Sequence, residues 1–271
     1  MKRTRGAAAR APEAVLQISV GHHVSAGGAD YAREKIEHAL DYAPERVLSA
    51  RVRLTGHRDP AAAEPIVAQA NVNMAGRGVR VQVTAETTRE SVDLLEARLK
   101  ARLERMARHW EAVRGGRPGL GPHEWRHGDA PRQPSPYFPR PAEGRGIVRR
   151  KSYALAEETC DEAAVDMESM DYDFHLFTEL GSGSDSVLYR TEDGGYRLAQ
   201  VDPQPDAVGR GTVPVTVSPA SSPVLSVDEA IERLELTGWP FVFFRDRSLD
   251  RGSVLYHRYD GHYGLITPST A

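Results

Sequence analysis

The chain has 271 residues, 40% of them hydrophobic, and a net charge of -3, enough for two or three compact units with real cores. No stretch approaches the ~18 to 20 apolar residues of a membrane span, and the arginine-rich start lacks the apolar run of a secretory signal, so a cytoplasmic protein is expected. Cys160 is the only cysteine, which excludes an internal disulfide and a multi-thiolate metal site; it reads as a small half-buried residue. The small net charge conceals an asymmetry. Residues 1 to 151 hold 27 Lys+Arg against 17 Asp+Glu, and residues 152 to 271 hold 8 against 21. A basic half suits a polyanion such as nucleic acid and an acidic half does not, so the two are expected to have different partners.

Residues 1 to 12 (MKRTRGAAARAP) read as a disordered basic tail. Leu16, Ile18 and Val20 then alternate with Gln17 and Ser19 as in a half-buried strand, and Tyr31, Ile36, Ala39 and Leu40 follow at helical spacing. Three alternating runs, residues 46 to 55, 66 to 74 and 79 to 85, are separated by loops holding Asp59-Pro60 and Gly76-Arg77-Gly78, the mark of an antiparallel meander. A second helix opens with the capping-box pattern Thr87-x-x-Glu90 and carries Leu95, Leu99, Leu103, Met106, Trp110 and Val113 on one stripe. Arg98, Arg102, Arg105 and His109 recur on an adjoining stripe about 90° away, so this helix is expected to bury one face and expose the other to phosphate. The order is β-α-β-β-β-α over residues 13 to 113, with both helices on one face of the sheet.

Residues 114 to 146, rich in Gly, Pro and Arg, cannot form a core and read as a flexible linker. Beyond them the acidic half repeats itself: residues 161 to 198 align with 228 to 265 at a constant offset of 67 and without a gap. Asp161-Glu162-Ala163 matches Asp228-Glu229-Ala230, and Ser186-Val187-Leu188-Tyr189 matches Ser253-Val254-Leu255-Tyr256. Each copy opens a short helix with a capping box, Thr159-x-x-Glu162 and Ser226-x-x-Glu229. Three strands are predicted to follow in each, with the tight-turn pair Asp193-Gly194 or Asp260-Gly261 between the last two. Residues 147 to 155 are expected to lead the sheet of the first copy. The divisions are then 147 to 203, a linker over 204 to 222, and 223 to 271, giving an α+β chain with two tandem small modules. Each is only about 50 residues, too small to bury much core alone, so the copies are expected to pack together or onto a partner.

Chemistry is mostly missing. Gly181-Ser182-Gly183-Ser184 lies between two strands with no following helix, so it reads as a hairpin and not a phosphate loop. His22 and His23 are adjacent and on a strand would point to opposite faces. No serine-nucleophile, His-Glu-x-x-His or Walker pattern appears, so no catalytic residue, metal or cofactor is expected. The repeated aromatics Tyr172/Trp239, Phe174/Phe241, Phe177/Phe244, Tyr189/Tyr256 and Tyr196/Tyr263 read as core, with some expected in a protein interface.

The segment Gly238-Trp239-Pro240-Phe241-Val242-Phe243-Phe244, with Val254-Leu255-Tyr256-His257-Arg258-Tyr259-Asp260-Gly261-His262-Tyr263-Gly264-Leu265-Ile266, resembles the terminal module of the long-form ribosome hibernation promoting factors, also called the sigma-54 modulation family. Copy one shares it more loosely. Gly21-His22-His23-Val24, Lys35, Asp93, Arg98, Leu99, Leu103 and Arg105 extend the resemblance to the N-terminal domain. It implies a domain that binds the small ribosomal subunit and its rRNA in the messenger and transfer RNA channel, and a terminal module that dimerises. The residues expected to contact RNA are Arg33, Lys35, Arg77, Arg80, Arg89, Arg98, Lys100, Arg102, Arg105 and Arg108. The chain departs from the family in His38, where a second lysine is usual, and in carrying the module twice. The duplication leads to an expected pairing of the modules within one chain through Phe174, Phe177, Tyr189, Tyr196, Phe241, Phe244, Tyr256 and Tyr263. A second function class is an adaptor or transcription modulator acting through the acidic repeats.

Overall fold

A computed structural model describes residues 15–57, 64–74, 77–114, 140–191 and 195–269. The N-terminal unit runs β1 (Val15–Val20), α1 (Gly28–Leu40), β2 (Val47–Gly56), β3 (Ile66–Met74), β4 (Arg77–Ala85) and α2 (Thr88–Arg114). Its sheet has the order β1-β2-β3-β4, with β1 parallel to β2 and the other pairs antiparallel. Strand alternation sends Ala50, Val52 and Leu54 of β2, Ala68, Ala70 and Val72 of β3, and Val79 and Val81 of β4 to one face. There they meet Ala32, Ile36 and Ala39 of α1 and Val92, Leu95, Leu99 and Leu103 of α2 in one core, so both helices cover the same face. The starts of the two helices are tied together. The Thr88 hydroxyl accepts the Ser25 N–H at 3.1 Å, and Thr87 accepts the Glu90 N–H at 3.2 Å, one half of the expected capping box.

The acidic half contains β5 (Ile147–Tyr153), β6 (Glu157–Glu158), α3 (Cys160–Ser169), β7 (Phe174–Glu179), β8 (Asp185–Arg190), β9 (Tyr196–Gln200), β10 (Val215–Val217), β11 (Val224–Leu225), α4 (Val227–Thr237), β12 (Phe241–Asp246), β13 (Gly252–His257) and β14 (Tyr263–Pro268). Both helices begin with complete capping boxes, Thr159 with Glu162 and Ser226 with Glu229. The glycine run 181 to 184 closes the β7-β8 hairpin, with Gly183 at φ +66°. Gly261 takes φ +78° in the second Asp-Gly turn; Asp193-Gly194 lies outside the described residues. None of the described helices is long and apolar enough to cross a membrane.

The strands form two five-stranded sheets, β10-β9-β8-β7-β6 and β11-β12-β13-β14-β5. Residues 147 to 155 therefore do not lead the first copy's sheet: β5 pairs in parallel with β14 of the second copy. The segment 204 to 222, expected as linker, contributes β10, which pairs in parallel with β9 of the first copy. Each leading strand thus completes the other copy's sheet, and in the same register. Thr216 sits opposite Arg197, and Arg149 sits opposite Gly264, with both partners shifted by 67 residues.

Chain geometry dictates the exchange. In its own sheet β5 would occupy the slot of β10, four strand spacings from β6, or about 19 Å. Only Ala154, Leu155 and Ala156 lie between Tyr153 and Glu157, and four Cα steps reach at most about 14 Å. Facing sheets lie only about 10 Å apart, so crossing to the partner sheet is within reach.

The two sheets meet across Leu176, Val187, Val254 and Ile266, flanked by Leu155, Phe174, Tyr189, Ala199, Phe241, Phe243 and Tyr256. The Phe174 ring lies 4.7 Å from Phe241 and 5.6 Å from Tyr256, and Tyr189 lies 5.6 Å from Phe241. At the rim Asp185 accepts from the Arg251 guanidinium at 2.7 and 2.9 Å and from the Gly252 N–H at 2.8 Å. Period-2 alternation divides the eight aromatics expected to pair the modules. Phe177 and Tyr196 lie under α3, and Phe244 and Tyr263 under α4, in the separate module cores. Those four belong to folding and not to the contact between copies.

In the second module core Tyr263 hydrogen-bonds Glu235, which also takes Arg145 at 2.7 Å. The His257 ring packs 5.4 Å from Tyr263; burial, then the nearby Arg145 charge, push its pKa down to about 4. An unfolded imidazole titrates near ~6.5. Between those values the unfolded chain binds a proton that the folded module refuses, so stability falls as pH drops through that window. We expect the urea midpoint of the acidic half to fall between about pH 7 and about pH 4.5, and to fall less in His257→Gln. Equal slopes in the two proteins would contradict this assignment.

Candidate nucleic-acid interface

The cations of the N-terminal domain gather on the two flanks of α2. At about 100° per residue, Arg98, Arg102 and Arg105 lie roughly opposite Arg89, Asp93, Glu96 and Lys100, with the apolar stripe between them. What the sequence pattern groups as one basic set is therefore two patches, one beside α1 and one beside β4.

On the α1 flank each cation is seated on an aromatic ring or an acid. Lys35 reaches Glu96 at 3.1 Å and Asp93 at 3.5 Å, and its ammonium lies 5.8 Å from the Tyr31 ring centre. Arg89 sits 5.0 Å from the same ring, and Lys100 lies 4.0 Å from that of Tyr42. The Glu96 carboxyl is held below its usual range, first by the hydrogen bond from His38 and then by Lys35. The Lys35 and Lys100 ammonium groups are pushed up by their hydrogen bonds to Glu96 and Tyr42, so both stay charged at neutral pH. Arg33 pairs only loosely with Glu37, at 4.0 Å. The rings hold the cations at fixed positions, and their apolar faces can pack against ribose or base.

The β4 flank is not the exposed stripe that the spacing implies. Arg98 and Arg102 both donate to Asp171 Oδ1, at 2.8 and 3.1 Å, and the Arg102 side chain is 4% exposed. Asp171 Oδ2 accepts the Gln82 backbone N–H at 3.1 Å. Arg80 hydrogen-bonds Gln82 and Gln69, and its guanidinium lies 5.6 Å from the Tyr172 ring. Arg105 is half-buried and has further partners. The side chains of Arg77 and Arg108 lie outside the described residues.

Sequence reasoning missed Asp171 and Tyr42, and it read Tyr31 and Tyr172 as packing aromatics and not as seats for cations. One signal for Asp171 was available: in the ungapped repeat it stands opposite Gly238. In the acidic half, Cys160 is buried and its thiol pKa is pushed up to about 12, chiefly by burial, which makes it a poor nucleophile. Glu158, Asp166 and His175 each bring a ligand atom within 4.8 Å of the others. Glu158 and His175 are already hydrogen-bonded at 3.0 Å, and copy two has Leu225, Arg233 and Val242 at these positions.

The family model described as Sigma 54 modulation/S30EA ribosomal protein C terminus matches residues 142–198 and again 215–265. Each matched segment takes in the strand that is exchanged, β5 in the first and β10 in the second. A Mycobacterium tuberculosis protein, the dormancy associated translation inhibitor, is 35% identical over 229 residues, spanning 81% of this chain and 76% of that protein. A ribosome hibernation promotion factor of Lactococcus lactis is 38% identical over 56 residues, 21% of this chain and 30% of that one. Among solved structures, the N-terminal domain of Thermus thermophilus Protein Y matches at 20% identity, with 35% of this chain and 99% of that chain covered and a TM-score of 0.28. The chain belongs to the long-form ribosome hibernation promoting factors, with the C-terminal module present twice.

If the α1 flank meets RNA phosphate, Lys35→Ala and Lys100→Ala should each weaken binding to purified small ribosomal subunits by about three- to tenfold, and flatten the log-log salt dependence by about one. Glu96→Gln, which removes the competing acid, should tighten it. Salt slopes unchanged in both lysine variants would exclude this flank from the interface.

Proposed function

We propose that the protein is a ribosome hibernation factor whose N-terminal domain occupies the decoding region of the small subunit and reversibly inhibits translation, while its C-terminal modules keep ribosomes single. The mechanism is occlusion, with no bond made or broken: phosphate contacts supply affinity and the shape of ribosomal RNA supplies register. The seated cations of α1 and α2 support the first part. The relatives support it too, one being named a dormancy associated translation inhibitor and another for ribosome hibernation promotion.

The observation that carries the second part is the reciprocal strand exchange. In a chain with one terminal module the surface that completes a sheet is open to a second molecule; in this chain β5 and β10 fill both vacancies from within. Even before β10 docks on β9, the roughly 20 residues that join the copies would, as a free chain, keep them within some 25 Å, an effective concentration in the millimolar range. Against separate chains at micromolar concentration that is a preference of about 10³, or about 4 kcal/mol.

Ribosomes saturated with intact protein should therefore sediment as monosomes carrying the protein. Deleting residues 204 to 271 removes β10 and leaves β5 without β14, and should yield protein dimers or aggregate. A strong ribosome-dimer peak that depends on the acidic half of the intact chain would refute the closed arrangement.

A further inference from the structure

We infer that the turn between α3 and β7 is a latch that holds the N-terminal domain closed, with the Asp171 carboxylate standing where RNA phosphate would sit on Arg98 and Arg102. The inference rests on the reading of the N-terminal domain as RNA-binding. Three consecutive residues of the turn engage that domain. A Cβ added to Gly78 would fall 3.0 Å from Met170 Sδ, so the bare glycine seats the methionine. Asp171 takes Arg98, Arg102 and the Gln82 N–H, and Tyr172 lies against the Arg80 guanidinium.

The duplication shows that this carboxylate is a departure from what the backbone favours. In copy two the same position is Gly238, at φ +64°, ending α4 in the left-handed conformation suited to glycine. Copy one keeps that conformation, φ +51°, with an aspartate in place, at a steric cost that glycine does not bear. The carboxylate is directed at the other domain: Asp171 is 3% exposed, and it accepts from Arg98, Arg102 and the Gln82 N–H. In copy two the matching turn stays open, and Trp239 is 52% exposed. What the aspartate adds is the grip on the two arginines.

The grip is also displaceable. Arg98 Nε is buried with no hydrogen-bond partner among the described residues, so the closed state leaves a charged donor unsatisfied. A phosphate offers more acceptor oxygens than one shared carboxylate and pairs with guanidinium in the same bidentate manner. RNA and Asp171 then compete for the same two side chains. The free protein is held in a form in which Asp171 occupies Arg98 and Arg102, and engagement of the β4 flank opens it.

The test uses intact protein and two variants, Asp171→Gly, which restores the residue found in copy two, and Asp171→Asn, which keeps the shape and removes the charge. Hydrogen exchange at the Gln82 amide reports the latch, and affinity for purified small subunits reports its consequence. Both variants should lose Gln82 protection and bind small subunits more tightly, by about tenfold if the open form is about a tenth of the population. In the wild type, saturating inorganic polyphosphate should itself release Gln82 protection. Retained protection in both variants overturns the latch, and so does polyphosphate that leaves Gln82 protected. Lost protection without a gain in affinity overturns the inhibitory role. Failure of the RNA-binding reading looks different: wild type and variants would all ignore small subunits, while the exchange measurements still decide the latch.

Discussion

The acidic half depends on one constraint: three residues cannot carry the chain from the far edge of a five-stranded sheet back to its near edge. Because β5 cannot reach the open edge of its own module, it completes the other sheet, and β10 returns the same strand in the opposite direction. From that follow the pseudo-twofold contact of Phe174, Tyr189, Phe241 and Tyr256 and the buried position of Asp185 beside Arg251. Two units that are too small alone acquire a shared core between their sheets as well as one core under each helix. Separating them would strip an edge strand from each, exposing unpaired backbone together with apolar surface.

The charge asymmetry takes on a second meaning in the structure. It still separates a domain suited to phosphate from one that is not. Yet one carboxylate of the acidic half turns back to the basic half and sits on its arginines. Acids moderate the basic domain locally as well: Glu96 and Asp93 hold Lys35 on one flank of α2, and Asp171 covers the other. The cations are held in position by acids and rings. For the RNA binding proposed above, that preorganisation would lower the ordering cost, at the expense of displacing the acids.

Much of this is legible in the residues. The N-terminal element order and both repeat capping boxes follow from period and cap chemistry, because those signals are local. The division of the aromatics was also available from alternation, since Phe174 and Phe177 stand an odd number of places apart and must face opposite ways. The exchange is not visible as a pattern, since β5 looks the same whichever sheet it joins; only the length of the crossing segment 154 to 156 decides. Asp171 reads locally as an ordinary turn residue, and its importance lies in contacts with Gln82, Arg98 and Arg102, 89, 73 and 69 positions away in the chain. The two flanks of α2 were separable by helical angle, but only packing against β4 and α1 shows that they meet different neighbours.

One chain completes both of its own sheets. Sedimentation equilibrium of the free, intact protein, carried into the high micromolar range, tests it most directly. The mass should be that of a single chain, 29.8 kDa, at every concentration, whereas a mass rising with concentration to that of two chains would show that the strands are exchanged between molecules and not within one.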